Sequence, residues 1–331
     1  MLAIAIGALV FAFCFGWSFL AAFHAPAPHN VPVGVVAPAP QAQQLGTMLN
    51  AHVPGGLSLH PYATPDAARE AVLHRSVEGA FVAGPHPVLM VASAGGNATA
   101  QFLQTAFGAA ASSTGLHLRV SDLVPLPAAN SEGLTLFFLL LSVLIPSLAV
   151  GIASSLAARG SKTWLQGTVL IVTAAAMGAV GMWIANGITG AVHGHFLALA
   201  GICALLSLAI SASTAALARI APPAAVLAVL AFVVVGVPAT GGPVGLARFM
   251  PAFFRDLAPG LPASRALPAL TNTAYFGGHQ ITNDLWILAI YAVADLVVLP
   301  LAGLLHRGAP GGGGKKDQVT GPSPAFGAKS A

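Results

Sequence analysis

The chain has 331 residues, 56% of them apolar and only 7% charged, with a mean hydropathy of +0.82. A soluble globule carries about 25% charged residues, so this sparse polar set cannot cover a surface facing water and lipid must cover much of it. The net charge of +4 comes without a basic patch interleaved with aromatics, which argues against nucleic-acid binding.

Six apolar segments follow in chain order. The first, Leu2 to Phe23, is long enough to cross a hydrocarbon layer of about 30 Å. A signal peptide would carry a basic n-region and an apolar stretch of only about 7–15 residues, so an uncleaved span is favoured over a leader. The next four are expected at Gly133–Leu156, Trp164–Ile188, His195–Leu217 and Ala224–Pro238, the last being short and needing its flanks to reach across. The sixth runs from Leu285 to Leu305. The expected fold class is therefore a polytopic α-helical membrane protein with six transmembrane helices and a mixed α/β domain outside the membrane, between helices 1 and 2. Its divisions are residues 1–23 (first span), 24–132 (outer domain), 133–305 (five spans) and 306–331 (a glycine- and lysine-containing tail expected to be disordered in the cytoplasm). Residues 240–284 are too polar and proline-rich for a simple span and are expected to be re-entrant or interfacial on the outer face.

The domain of residues 24–132 carries alternating strand and helix signals. "VPVGVVAP", "GLSLHPY", "GAFVAG" and "PVLMVAS" read as strands, and "QAQQLGTMLNAHV" as a short helix. Thr64-Pro65-Asp66 supplies a hydroxyl cap, a proline at the first helical position and an acid in the first turn. The helix it starts is expected to reach about Ser76 with Ala67, Ala68, Ala71, Val72 and His74 as its packing stripe. A further helix, "NATAQFLQTAFGAAASS", is expected to be capped by Asn97 and to pack through Phe102 and Phe107. The order βαβαββα implies a small mixed sheet.

Six spans put both termini on one side. That side receives Arg159, Lys162, Arg219, Arg307, Lys315, Lys316 and Lys329 against the single acid Asp317, whereas the arginines of the other side are matched by acids. The positive-inside bias thus places both termini in the cytoplasm. No GxxxxGK[ST], HExxH, CxxC or GxSxG pattern occurs, so neither ATPase nor other enzymatic chemistry is expected. Cys14 and Cys203 lie in apolar runs and read as small core residues, and His193 and His195 lack a third ligand nearby for a metal. No cofactor is expected on this chain. Asp295 lies mid-way along the last span, where a carboxylate must face protein or water. It reads either as a transport residue or as a structural hydrogen-bond partner for a Ser, Thr or Asn of another helix. Asn186 and Thr189, at the outer end of the third span, are weaker cases. Gly187, Gly190 and Gly194 are expected to let helices approach closely, and Trp164, Trp183 and Trp286 to anchor span ends.

The layout of one span, an outer α/β domain and five further spans resembles the permeases of type-2 ABC exporters, above all the branch of the phage infection protein and its YhgE-like relatives. "VPVGVVAP" is similar to that branch's strand after the first span, with Ala37-Pro38 where an Asn-Asp/Glu turn is usual. "TPDAAREAVLHRSVEGAFVAG" resembles its acidic, alanine-rich helix followed by a turn and strand. "FMPAFFRDLAPGLPASRALPALTNTAYFGG" resembles the segment before the last span: Phe253, Leu257, Pro262, Leu270, Gly277 and Gly278 keep the pattern, and Asn272 stands where an arginine often occurs. The resemblance implies a permease of the bacterial cell membrane, a homodimer or a heterodimer with a second permease. It would move a hydrophobic, amphipathic or cell-envelope substrate with ATP hydrolysed by a separate P-loop ATPase subunit. Arg159, Lys162 and Trp164, around the short loop between the second and third spans, are the expected ATPase contacts. The alternative is a non-transporting membrane protein whose outer domain binds a partner or an envelope polymer.

Overall fold

A computed structural model describes residues 2–157, 163–242 and 246–307. Among the described residues six helical segments are long and apolar enough to cross a membrane, and the chain is a multi-pass membrane protein with a sheet domain between the first and second of them. Helix α1 (Leu2–Phe23) is followed by the domain. After it come α5 (Thr135–Ala157), α6 (Thr163–Met182, continued by a π-helical turn to Ile188) and α7 (Phe196–Ile220). The short fifth segment does use its flanks: it runs through Pro222–Ala239 as a 3-10 turn, α8 (Ala225–Val229), a π-helical stretch (Leu230–Val235) and α9 (Gly236–Ala239). The last span is α12 (Thr282–Arg307).

Helix α7 is the axis of the bundle: 56% of its apolar stretch is buried, against 11% for α1. Its neighbours approach closely because the facing residues are small. A Cβ on Gly178 of α6 would fall 2.2 Å from Ala200 O, and one on Gly151 of α5 would fall 2.6 Å from Ser211 O. This is the small-residue packing expected where lipid supplies no hydrophobic force between helices. The expectation for Gly190 and Gly194 is corrected: neither has a neighbour within 4 Å of its Cβ position, and both adopt positive φ in the turn after α6. Serines add bonds within the bundle. Ser147 and Ser207 join α5 to α7 at 2.7 Å, and Ser18 of α1 donates to Val234 O in the π-helical stretch. A π turn leaves carbonyls off the regular ladder, and a hydroxyl takes one here.

The domain is a five-stranded sheet of order β2-β1-β3-β4-β5, with β1 (Val31–Val36), β2 (Leu57–Pro61), β3 (Gly79–Val82), β4 (Val88–Val91) and β5 (Arg119–Asp122). β1 runs parallel to both β2 and β3, β4 is antiparallel to β3, and β5 is parallel to β4. Side chains alternate between two faces, as the pleat requires. Val33, Phe81, Leu89 and Val91 pack under α2 (Ala39–His52) and α4 (Asn97–Ser113) with Leu103 and Phe107. The opposite face, with Ala80 and Met90, packs on α3 (Pro65–Leu73) and is completed by Phe276 from the far end of the chain.

Thr64 caps α3 through its side chain, which accepts from Ala67 N at 3.2 Å. Three local expectations differ. Helix α3 stops at Leu73, and Ala67 and His74 are exposed while Ala68, Ala71 and Val72 are buried. Gly96, not Asn97, is the capping position of α4, and Asn97 Oδ1 instead accepts from Gln101 Nε2. β5 was not expected, because "RVSD" is a largely exposed edge strand without apolar alternation.

Residues 246–281 form α10 (Ala252–Leu257), α11 (Pro262–Tyr275) and their turns. α11 is buried along most of its length, with Ala266, Ala269 and Leu270 inside the bundle core.

Candidate functional site

The polar side chains converge where the sheet domain meets α10 and α11. Beyond α3, Arg75 adopts φ 59, a left-handed conformation uncommon for a residue with a side chain. The turn lets Ser76 N bond back to Ala71 O at 2.9 Å and directs the guanidinium inward. Nη1 donates to Glu78 Oε2 at 2.7 Å and Nη2 to Glu78 Oε1 at 3.4 Å, a forked pair with side chains only 9% and 12% exposed. Nε donates to Asn272 Oδ1 at 3.3 Å, and the guanidinium carbon lies 4.9 Å from the Phe276 ring centroid. A Cβ on Gly95 would fall 2.4 Å from Nη1, so a side chain there would push the guanidinium out of this position. Asn272 is therefore an acceptor for an arginine from the other domain. An arginine at position 272 would set two guanidinium groups against each other.

A second tie runs beside it. Asn130 Oδ1 accepts from Thr135 N at 3.1 Å and Thr135 Oγ1 at 2.8 Å at the start of α5, while its Nδ2 donates to Tyr275 Oη at 3.1 Å. Burial pushes the Tyr275 phenol above its ordinary value, and the bond from Asn130 partly offsets this.

Next to Arg75 lies a polar cavity of about 530 Å³ between the domain, α10, α11 and the start of α12. Four arginines and two carboxylates line it. Arg75 is paired with Glu78, and Arg265 donates to Asp284 at 3.1 Å and to Pro259 O at 2.8 Å. Arg248 donates to Asn30 O at 3.0 Å. Among the described residues Arg255 has only Asp256, 3.7 Å from its Nε and itself 73% exposed.

Within the bundle Asp295 accepts a hydrogen bond from Ser213 of α7, the structural partnership that its sequence position allowed. Toward the end remote from the domain, Arg219 donates to the buried Gln166, whose Nε2 donates to Ser154 Oγ at 3.4 Å. Asn186 is half-buried and Thr189 donates to Ala185 O at 2.9 Å, and neither joins Asp295. Trp164 is exposed at the start of α6, whereas Arg159 and Lys162 lie outside the described residues. Of the other expected positions, Pro262 is buried at the start of α11, and Phe253 is exposed with its ring edge-on to Phe254. Gly277 and Gly278 form the positive-φ turn after α11, where Gly278 N donates to Asn272 O at 2.9 Å. No group of three His, Cys, Asp or Glu side chains suited to a metal occurs among the described residues.

No protein-family model, no curated protein and no solved structure matches the chain.

The sequence reading picked Asp295 and Asn272 but missed their partners, Ser213 and Arg75. It also missed Arg255 and Ser264 in the cavity. The signal available was six arginines on the domain side of a chain with so few charges, four of which line the cavity.

Proposed function

We propose that the chain is the membrane-spanning permease of an ABC-type exporter, of the type-2 kind and most like the phage infection protein branch. The observation that carries this reading is the sheet domain inserted between the first two spans and seated, through Arg75 and Asn272, on the segment before the last. That seating gives a movement of α11 and α12 a direct route to the domain. Both termini lie in the cytoplasm on this reading, and the substrate is hydrophobic, amphipathic or part of the cell envelope. A second permease, identical or related, completes the pathway, and the largely exposed α1 offers apolar surface for it or for lipid. A separate P-loop ATPase supplies the energy and docks near Trp164, whose indole projects from the start of α6.

The test is purification of the tagged full chain in mild detergent with its native partners. A P-loop ATPase should co-purify, its ATP hydrolysis should rise on adding the permease, and Trp164→Ala should reduce that rise. A stable monomer with no such ATPase would overturn the reading.

A further inference from the structure

We propose that the cavity between the sheet domain and α11 is a binding site for a tetrahedral oxyanion of phosphate chemistry, held by Arg255, Ser264 and the open end of α11. The site stands on the cavity alone and does not rest on the export reading.

Charge is the first argument. The Arg75–Glu78 and Arg265–Asp284 pairs neutralise themselves, so the two remaining guanidinium groups, of Arg248 and Arg255, make the cavity positive. Asp256, the acid beside Arg255, is mostly exposed, and solvent screens it.

Unmade hydrogen bonds are the second. Arg255 Nη1 and Ser264 Oγ are both buried and have no partner among the described residues, and Ser264 as a whole is only 9% exposed. A helical serine ordinarily bonds the carbonyl four residues back. Here Ser264 Oγ does not make that bond, and Gly260 O accepts from Tyr291 Oη at 2.9 Å. A buried donor left without an acceptor is costly, and more so when it is charged. Two such groups on one cavity indicate a ligand that satisfies both.

The third argument is the helix end. α11 starts at Pro262 with Leu261 before it, and no side chain caps it. Pro262 has no N–H, so the first turn brings to the cavity the uncapped N–H of Ser264, which lines it, together with the positive end of the helix dipole. Ser264 lies in that turn and Arg255 comes from α10, so donors reach the cavity from separate elements. A tetrahedral anion accepts from several directions, whereas a planar carboxylate is best served by one fork. The volume exceeds that of bare phosphate and admits an esterified one, which leaves two sources of the same chemistry: a free phosphate-type anion or the headgroup of an anionic lipid.

The experiment uses the full chain in an uncharged detergent. Inorganic phosphate is titrated by calorimetry. In parallel, protein from phosphatidylglycerol or phosphatidylcholine nanodiscs is examined by native mass spectrometry for retained lipid. Wild type should bind phosphate, retain phosphatidylglycerol in preference to phosphatidylcholine, or both. Arg255→Gln should weaken that binding about tenfold or more, the loss of one charge-assisted bond. Ser264→Ala should weaken it several-fold, and Arg255→Lys should restore part of it. Arg69→Gln, on the exposed face of α3, should leave it unchanged. Phosphate binding identifies a free anion as source and phosphatidylglycerol retention alone identifies a headgroup. The proposal fails if neither probe binds with a Kd below about 10 mM, which corresponds to about 2.7 kcal/mol of affinity. It also fails if Arg255→Gln and Ser264→Ala, folded by their melting temperatures, bind as wild type does.

Discussion

The sheet domain and the helical bundle both bury large apolar side chains, but around α7 small residues also bring helix backbones together. Between the sheet and α4 the space is taken by Leu89, Leu103 and Phe107, with the Phe81 and Phe107 rings 5.2 Å apart. Around α7 Leu140, Leu144, Leu206 and Ile210 are buried as fully, but Ala209, Ala212 and Ala215 lie among them, and Gly178 and Gly151 are pressed against the α7 backbone. The difference follows from the surroundings. In water, burying a large apolar side chain contributes about 1.5–3 kcal/mol, so large residues hold the domain. In lipid the same side chain is already in an apolar medium, so helices gain by approaching until dispersion and hydrogen bonds count.

Each region should therefore break in its own way. The largest effect is expected from Phe107→Ala, which should cost the domain about 3–5 kcal/mol. Limited proteolysis should then cut within residues 31–122 while the helical content of the bundle persists, and simultaneous loss of both would show that the regions fold as one unit. Gly178→Val places atoms where α7 backbone already lies and should cost about 1–3 kcal/mol. It should lower the melting temperature in detergent and broaden the size-exclusion peak without exposing the domain to protease. The comparison sharpens with two hydroxyl deletions. Thr64→Ala removes the cap of α3 and should cost about 1 kcal/mol, whereas Ser147→Ala removes an interhelical bond worth about 0.6 kcal/mol. Equal losses in chemical denaturation would contradict the distinction.

The smallest effect concerns pH. The folded Tyr275 phenol holds its proton above the usual value of about 10, so between the unfolded and folded values the native state binds more protons. Stability is then unaffected below about pH 10 and falls as pH rises above it. Tyr275→Phe should flatten that alkaline limb, read as melting temperature against pH, at the cost of its bond from Asn130.

Much of this was legible in the sequence for one physical reason: both regions write their pattern locally. Runs of some twenty apolar residues announce the spans, and Thr64-Pro65-Asp66 announces a helix start. The fifth span was readable once its flanks were counted, despite the two π-helical stretches that interrupt the third and fifth. What escaped is what depends on distance along the chain. Arg75 and Asn272 are 197 residues apart, and Ser213 and Asp295 are 82 apart, and nothing local couples either pair. Arg75 itself read as part of a helix because its positive φ leaves no mark in composition. β5 was invisible for the opposite reason: an edge strand of Arg119, Ser121 and Asp122 has almost nothing to bury.

The place of β1 in the sheet has a mechanical consequence. It is the first strand after α1, and it runs parallel to a neighbour on each side. A pull delivered along α1 would therefore load two hydrogen-bonded ladders in shear, all their bonds sharing the force at once instead of opening one after another. Tension on the first helix should then move the sheet whole before it tears a strand from it.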